Sequence, residues 1–169
     1  QRQAWNGATT SASTARANAA RGGIWRDQCA AGSMLRSSVS ASSGIWPQTG
    51  ARALSESEVE QLIEDFAVAA MRAQHAGFDG VEIHGAHGYV LCQFLSGEIN
   101  KRTDRYGGSL ENRARIVFDV IARIRERCRA DFSVGLRLSP ERFGLKLGEM
   151  RDVAQRLLRE GAIDYLDMS

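Results

Sequence analysis

Residues 77–95 read GFDGVEIHGAHGYVLCQFL. The first half of this stretch decides how the chain is built. Gly77 is a natural helix stop, and Val81-Glu82-Ile83-His84 alternates aliphatic and polar side chains with the period of a strand. Upstream, Ser55-Glu56-Ser57-Glu58 has the S-x-x-E spacing of a capping box, which predicts a helix start. Val59, Leu62, Ile63, Phe66, Ala69, Ala70 and Ala73 then fall on one face at helical spacing. A capped helix thus runs into a short strand.

The unit recurs downstream. Ser109 can cap a helix with the apolar face Ile116, Val117, Val120, Ile121 and Ile124, followed by a strand over Ser133–Ser139. A third helix carries Met150, Val153, Ala154, Leu157 and Leu158, stops at Gly161, and leads to a strand over Ile163–Met168. Helices between short strands imply parallel strands and crossover connections, so the class is α/β. An open doubly wound sheet and a (β/α)8 barrel both fit.

Strand faces favour the barrel. Val134, Leu136 and Leu138 share one face, and Gly135, Arg137 and Ser139 the other; Val81 and Ile83 oppose Glu82 and His84. A sheet covered on both sides would favour apolar residues on both faces. A barrel turns aliphatics outward to its helices and admits polar groups near its mouth. His84 and Arg137 sit toward the C-terminal ends of their strands, on the rim where barrel enzymes do chemistry.

The first fifty residues differ. They hold five arginines, one acid (Asp27), a single leucine (Leu35) and neither Phe nor Tyr, without helical or strand periodicity. The expected organisation is an irregular or disordered Ala/Ser/Arg-rich segment over 1–50 and a barrel-like domain over 51–169. Three readings of the first segment stay open: a disordered tail, an Arg- and Ser-rich organellar transit peptide, or a translation artefact joined to a real domain segment. Five dispersed arginines and a net charge of +2 point to no specific nucleic-acid partner. No run approaches the roughly 18 apolar residues of a membrane span, so no membrane partner is expected. The three cysteines, Cys29, Cys92 and Cys128, are odd in number and scattered. That fits a reducing compartment and a cytoplasmic location, with organellar targeting as the weaker expectation.

His84-x-x-His87, with Tyr89 two residues on, is the chemical question. No third ligand is evident, so no metal site is expected. Two ordinary hydrogen-bonded histidines at a strand end are the bland reading. Arg137 sharpens the choice, because an arginine on an inner barrel face is costly to bury without an anion. Two histidines can polarise a carbonyl oxygen and a tyrosine can donate a proton.

The segment HGAHGYVLCQFLSGEINKRTDRYGGSLENRAR, residues 84–115, resembles the signature of the Old Yellow Enzyme family, FMN-dependent ene-reductases also described as NADH:flavin oxidoreductases. The flanks AGFDGVEIHGAH and VGLRLSPERFG agree, and the resemblance covers roughly residues 52–169. It implies a (β/α)8 TIM barrel, here partial, with three parallel strands and three helices after the irregular segment. It implies non-covalent FMN, NADH or NADPH as reductant, and a small-molecule carbonyl-activated alkene (enone or nitroalkene) as substrate; a homo-oligomer stays open. By the same resemblance His84 and His87 bind the substrate oxygen, Tyr89 protonates Cα, and Arg137 contacts the cofactor beside the flavin N1–C2=O edge.

Asn100, Arg102, Asp104, Tyr106, Gly107, Gly108, Asn112, Arg113 and Arg115 match the family's long loop and the following helix start, and are expected to be structural. Two positions depart from the pattern: Gly97 stands where proline is common, and Cys92 where a polar residue is common. Three strands matched to the fourth, fifth and sixth of a barrel leave out the last two βα loops, which usually hold phosphate. The rival expectation is therefore a truncated, non-catalytic barrel piece that needs other segments to bind FMN.

Overall fold

The computed structural model describes residues 39–40 and 52–169. The readings of the first fifty residues lie outside the described residues, with one exception. Val39–Ser40 (β1) pairs in parallel with Arg52–Ala53 (β2), so two residues of the segment expected to be irregular form a strand contact with the start of the domain that follows.

The expected helices form where their caps place them. Helix α1 spans Glu56–His75, with both halves of the capping box made: Ser55 Oγ accepts from Glu58 N–H, and the Glu58 carboxylate accepts from Ser55 N–H. It ends before Gly77, whose φ of +86° only glycine adopts freely. Strand β3 follows as Gly80–Gly85. Val90–Leu95, a nearly unbroken apolar stretch, then forms a six-residue helix, α2. Its faces cannot be told apart from the sequence because only Gln93 is polar, and Leu91, Cys92, Phe94 and Leu95 are all buried.

Helix α3, Leu110–Arg127, starts at Ser109, whose hydroxyl accepts from Asn112 N–H. Strand β4 is Ser133–Leu138 and helix α4 is Leu147–Arg159. Leu157 enters the core, but Leu158, expected on the same face, is 54% exposed. Strand β5 runs Tyr165–Met168, two residues shorter at its start than expected. Asp164 explains that start, since its carboxylate accepts Val134 N–H and the Arg125 guanidinium instead of continuing the ladder on both sides.

Strands β3, β4 and β5 form one parallel sheet in that order. Its aliphatic face, with Ile83, Val134, Leu136 and Leu138, joins the helices in a single core. Burying these side chains contributes on the order of 1.5–3 kcal/mol each. The opposite face carries Glu82 and His84, Gly135 and Arg137, Tyr165 and Asp167. This is the α/β arrangement of a (β/α)8 barrel segment, with four helices rather than three among the described residues.

The loop between α2 and α3 is tied by the residues expected to be structural. Asn100 donates to the carbonyls of Phe94 and Tyr106 and accepts from Arg102 N–H. Arg102 pairs with Asp104 and donates to Leu54 O. Buried Arg113 donates to Leu95 O and Gly108 O and pairs with Glu149 on α4 at 2.9 Å. Arg115 reaches Arg105 O and Asn112. Gly97 lies against the Arg113 guanidinium, where a Cβ would stand 3.2 Å from Nη1. Cys92 is fully buried, so no polar group is asked for at that position.

Candidate active site

The polar face of the sheet is built by register. His84 on β3 stands opposite Arg137 on β4, and Arg137 opposite Asp167 on β5. Glu82, Gly135 and Tyr165 form the neighbouring row. Parallel pairing with side chains alternating at every residue puts both rows on one face.

After β3 the chain turns sharply. His87 has φ of +58° and Gly88 +73°, and Tyr89 N–H closes the turn on Ala86 O at 3.3 Å. This turn returns the histidine and tyrosine to the strand end. The His84 ring lies 5.2 Å from the His87 ring and 5.1 Å from the Tyr89 ring, both tilted. Tyr89 is the N-cap residue of α2, so the start of that short helix fixes its position.

His84 is half-buried, and this lowers its pKa below the usual histidine value; the charges of His87 and Arg137 push the same way. It is therefore a neutral imidazole near pH 7, with one ring nitrogen to donate and one to accept. The exposed His87 ring shares a 3.0 Å hydrogen bond through Nε2 with the Ser169 hydroxyl, and its backbone N–H donates to Ser139 Oγ at 3.0 Å.

Arg137 departs from the expectation built on burial. That argument required a bound anion, but the protein supplies two carboxylates: Asp167 at 2.6 Å from Nη2 and Glu82 at 3.1 Å from Nε. The side chain is also 35% exposed. Its charge is balanced within the sheet, so the burial argument for a cofactor anion falls.

The structure thus brings His84, His87 and Tyr89 together and sets Arg137 beside His84 by register. It adds four residues to the site: Glu82, Ser139, Tyr165 and Asp167. Alternation was the available signal, since each lies an even number of residues from His84 or Arg137, or in their rows. Among the described residues no group of three or more His, Cys, Asp or Glu side chains is placed to hold a metal ion.

Comparison with known proteins adds an independent line. The model of the NADH:flavin oxidoreductase / NADH oxidase family matches residues 3–169, and so takes in the N-terminal segment that composition set apart. An NADH oxidase of Thermoanaerobacter brockii is 41% identical over 124 residues, 72% of this chain and 19% of that protein. A putative 12-oxophytodienoate reductase of rice is 52% identical over 89 residues, 53% of this chain and 24% of that protein. An NADH-dependent flavin oxidoreductase of Aspergillus parasiticus is 43% identical over 121 residues, 70% of this chain and 27% of that protein. The chain therefore spans about a fifth to a quarter of the length of these relatives.

Proposed function

The chain belongs to the NADH:flavin oxidoreductase / NADH oxidase family, and from that premise we propose that it carries the substrate-facing part of an FMN-dependent oxidoreductase of the ene-reductase type. The observation that carries this reading is the cluster of His84, His87 and Tyr89, with ring centroids 5.2 and 5.1 Å from that of His84.

The residues present fit the group. The polar sheet face offers the neutral His84 imidazole and a part-exposed guanidinium at one strand end, and the turn after β3 adds the His87 ring, a set that suits the polar edge of a flavin beside a carbonyl oxygen. Arg137 would stand at the flavin N1–C2=O edge. The chemistry FMN supplies when bound is hydride transfer from NADH or NADPH to the β-carbon of an activated alkene. His84 and His87 donate hydrogen bonds to the carbonyl or nitro oxygen and stabilise the charge that builds there. The Tyr89 hydroxyl delivers the proton to the α-carbon. Glu82 and Asp167 hold the Arg137 guanidinium in place.

The test is a titration of this chain with FMN, followed by flavin fluorescence, then turnover of NADH or NADPH with cyclohex-2-enone. Saturable binding near one flavin per chain and enone-dependent oxidation support the reading. Absence of binding at tens of micromolar FMN would assign flavin holding to other segments and leave this one as a non-catalytic barrel piece.

A further inference from the structure

The turn that presents His87 is unfavourable on its own. Two successive residues with positive φ, closed by a hydrogen bond from Tyr89 N–H to Ala86 O, are the signature of a type I′ turn. Glycine, asparagine and aspartate dominate its first central position, because a Cβ is strained in the left-handed region. Here that position is His87. Such a conformation persists only where its surroundings over-determine it.

Three contacts do so. The Gln93 side chain donates to Gly88 O at 2.8 Å. The Phe143 ring packs on Gly88, where a Cβ would stand 3.0 Å from it. The third contact acts on the histidine itself: His87 N–H donates to the hydroxyl of Ser139, a residue 52 positions away. Ser139 is 2% exposed and follows β4 directly, two residues after Arg137. A buried serine at the end of a neighbouring strand therefore holds the strained residue in its left-handed conformation.

We propose that Ser139 is a positioning residue, whose hydroxyl fixes the His87 turn and so sets the approach of the His87 ring to that of His84. Ser139 takes no part in proton transfer and acts through His87. Its consequence for catalysis rests on the function proposed above; its consequence for geometry does not. In Ser139→Ala the His87 amide loses its acceptor and the turn relaxes toward negative φ. The two imidazoles then separate. The loss of one hydrogen bond predicts about a tenfold fall in kcat/KM for cyclohex-2-enone, with FMN affinity unchanged because Arg137 is untouched.

The experiment compares the wild-type chain, Ser139→Ala and Ser139→Thr by NMR without ligand, and then by FMN titration and enone turnover. In Ser139→Ala the expected result is at least roughly tenfold faster exchange of the His87 amide, loss of the cross-peak between the His84 and His87 rings, and a melting temperature close to wild type. Ser139→Thr, which keeps the hydroxyl, should restore the amide protection and the cross-peak. Survival of both in Ser139→Ala would overturn the proposal. So would a collapse of protection across the whole chain, which would make Ser139 a core residue only. Absence of FMN binding or turnover in the wild-type chain would sink the proposed function, while the ligand-free spectra would still decide the role of Ser139.

Discussion

The ring of Tyr165 lies across Gly135, and its hydroxyl meets Glu82 on the far side of β4. The three residues occupy one register row over β3, β4 and β5. A side chain on β5 can reach β3 only where the strand between them carries no Cβ. Glycine in a strand interior often marks such a close approach. A Cβ at Gly135 would clash with the Tyr165 ring, closest to its Cζ. Gly135→Ala should therefore push the ring outward rather than unfold the sheet, because the ring is part-exposed and free to swing. The expected cost is about 1–3 kcal/mol, measured by urea unfolding. A variant as stable as wild type, with the Tyr165–Glu82 contact intact, would rule out this packing.

That row makes a pH prediction. The Tyr165 hydroxyl is pushed up to about 12 by its burial first, and then by the charge and hydrogen bond of Glu82. The folded state thus holds this proton more tightly than the unfolded chain, whose tyrosine titrates near pH 10. The stabilisation is full below about pH 10 and is lost as pH rises from there through about 12. Melting temperature should fall more steeply across that window for wild type than for Tyr165→Phe. In Glu82→Gln the phenol should titrate lower, as read by ultraviolet absorbance. An unchanged midpoint in Glu82→Gln would remove Glu82 as a cause.

His84 makes the opposite case. Its pKa is depressed below about 6.5, by burial first and then by His87 and Arg137. The unfolded chain therefore binds this proton more readily than the folded one. The associated stability is present above about pH 6.5 and lost as pH falls through the lower folded value. An NMR titration should place the His84 midpoint below that of a free histidine. His87→Gln should raise it. A midpoint at or above 6.5 in wild type would contradict the lowering by burial and by the two neighbouring charges.

Much of this site was legible because its logic is local. The S-x-x-E spacing at Ser55, the cap at Ser109 and the glycines at 77 and 161 set the helix limits through neighbouring backbone groups. Alternation along 81–84 and 133–139 separated core from polar face. What stayed hidden depends on strands distant in sequence. The carboxylates on Arg137 come from β3 and β5, 55 residues before it and 30 after it, and register alone aligns them. Charge considered one strand at a time therefore asked for an external anion that the sheet already provides. Helix α2 stayed hidden for another reason: a short element buried on nearly all sides has no polar stripe to give it a period.

Arg113 should be among the least replaceable residues of the loop region. It is 5% exposed, donates to the carbonyls of Leu95 at the end of α2 and Gly108 in the loop, and pairs with Glu149, so it joins α2, the loop, α3 and α4. Arg113→Met leaves those carbonyls and the part-buried carboxylate without their partner, at a cost of about 3 kcal/mol. Arg113→Lys should recover little, because an ammonium lacks the planar fork that serves three acceptors at once. Denaturant midpoints decide this, and a lysine variant equal to wild type would reduce Arg113 to a simple point charge.

Tyr89→Phe tests the proposed proton donor directly. The ring is held at the start of α2 and against His84, so removing one oxygen should leave the turn and the fold in place. FMN affinity should not change, because no flavin contact is assigned to Tyr89. General acid catalysis by a positioned side chain contributes typically 10²–10⁴-fold. Turnover of cyclohex-2-enone should therefore fall at least about a hundredfold, with a much smaller change in enone binding. If turnover persists within threefold of wild type, the proton comes from solvent, and Tyr89 serves only to pack the His84 ring.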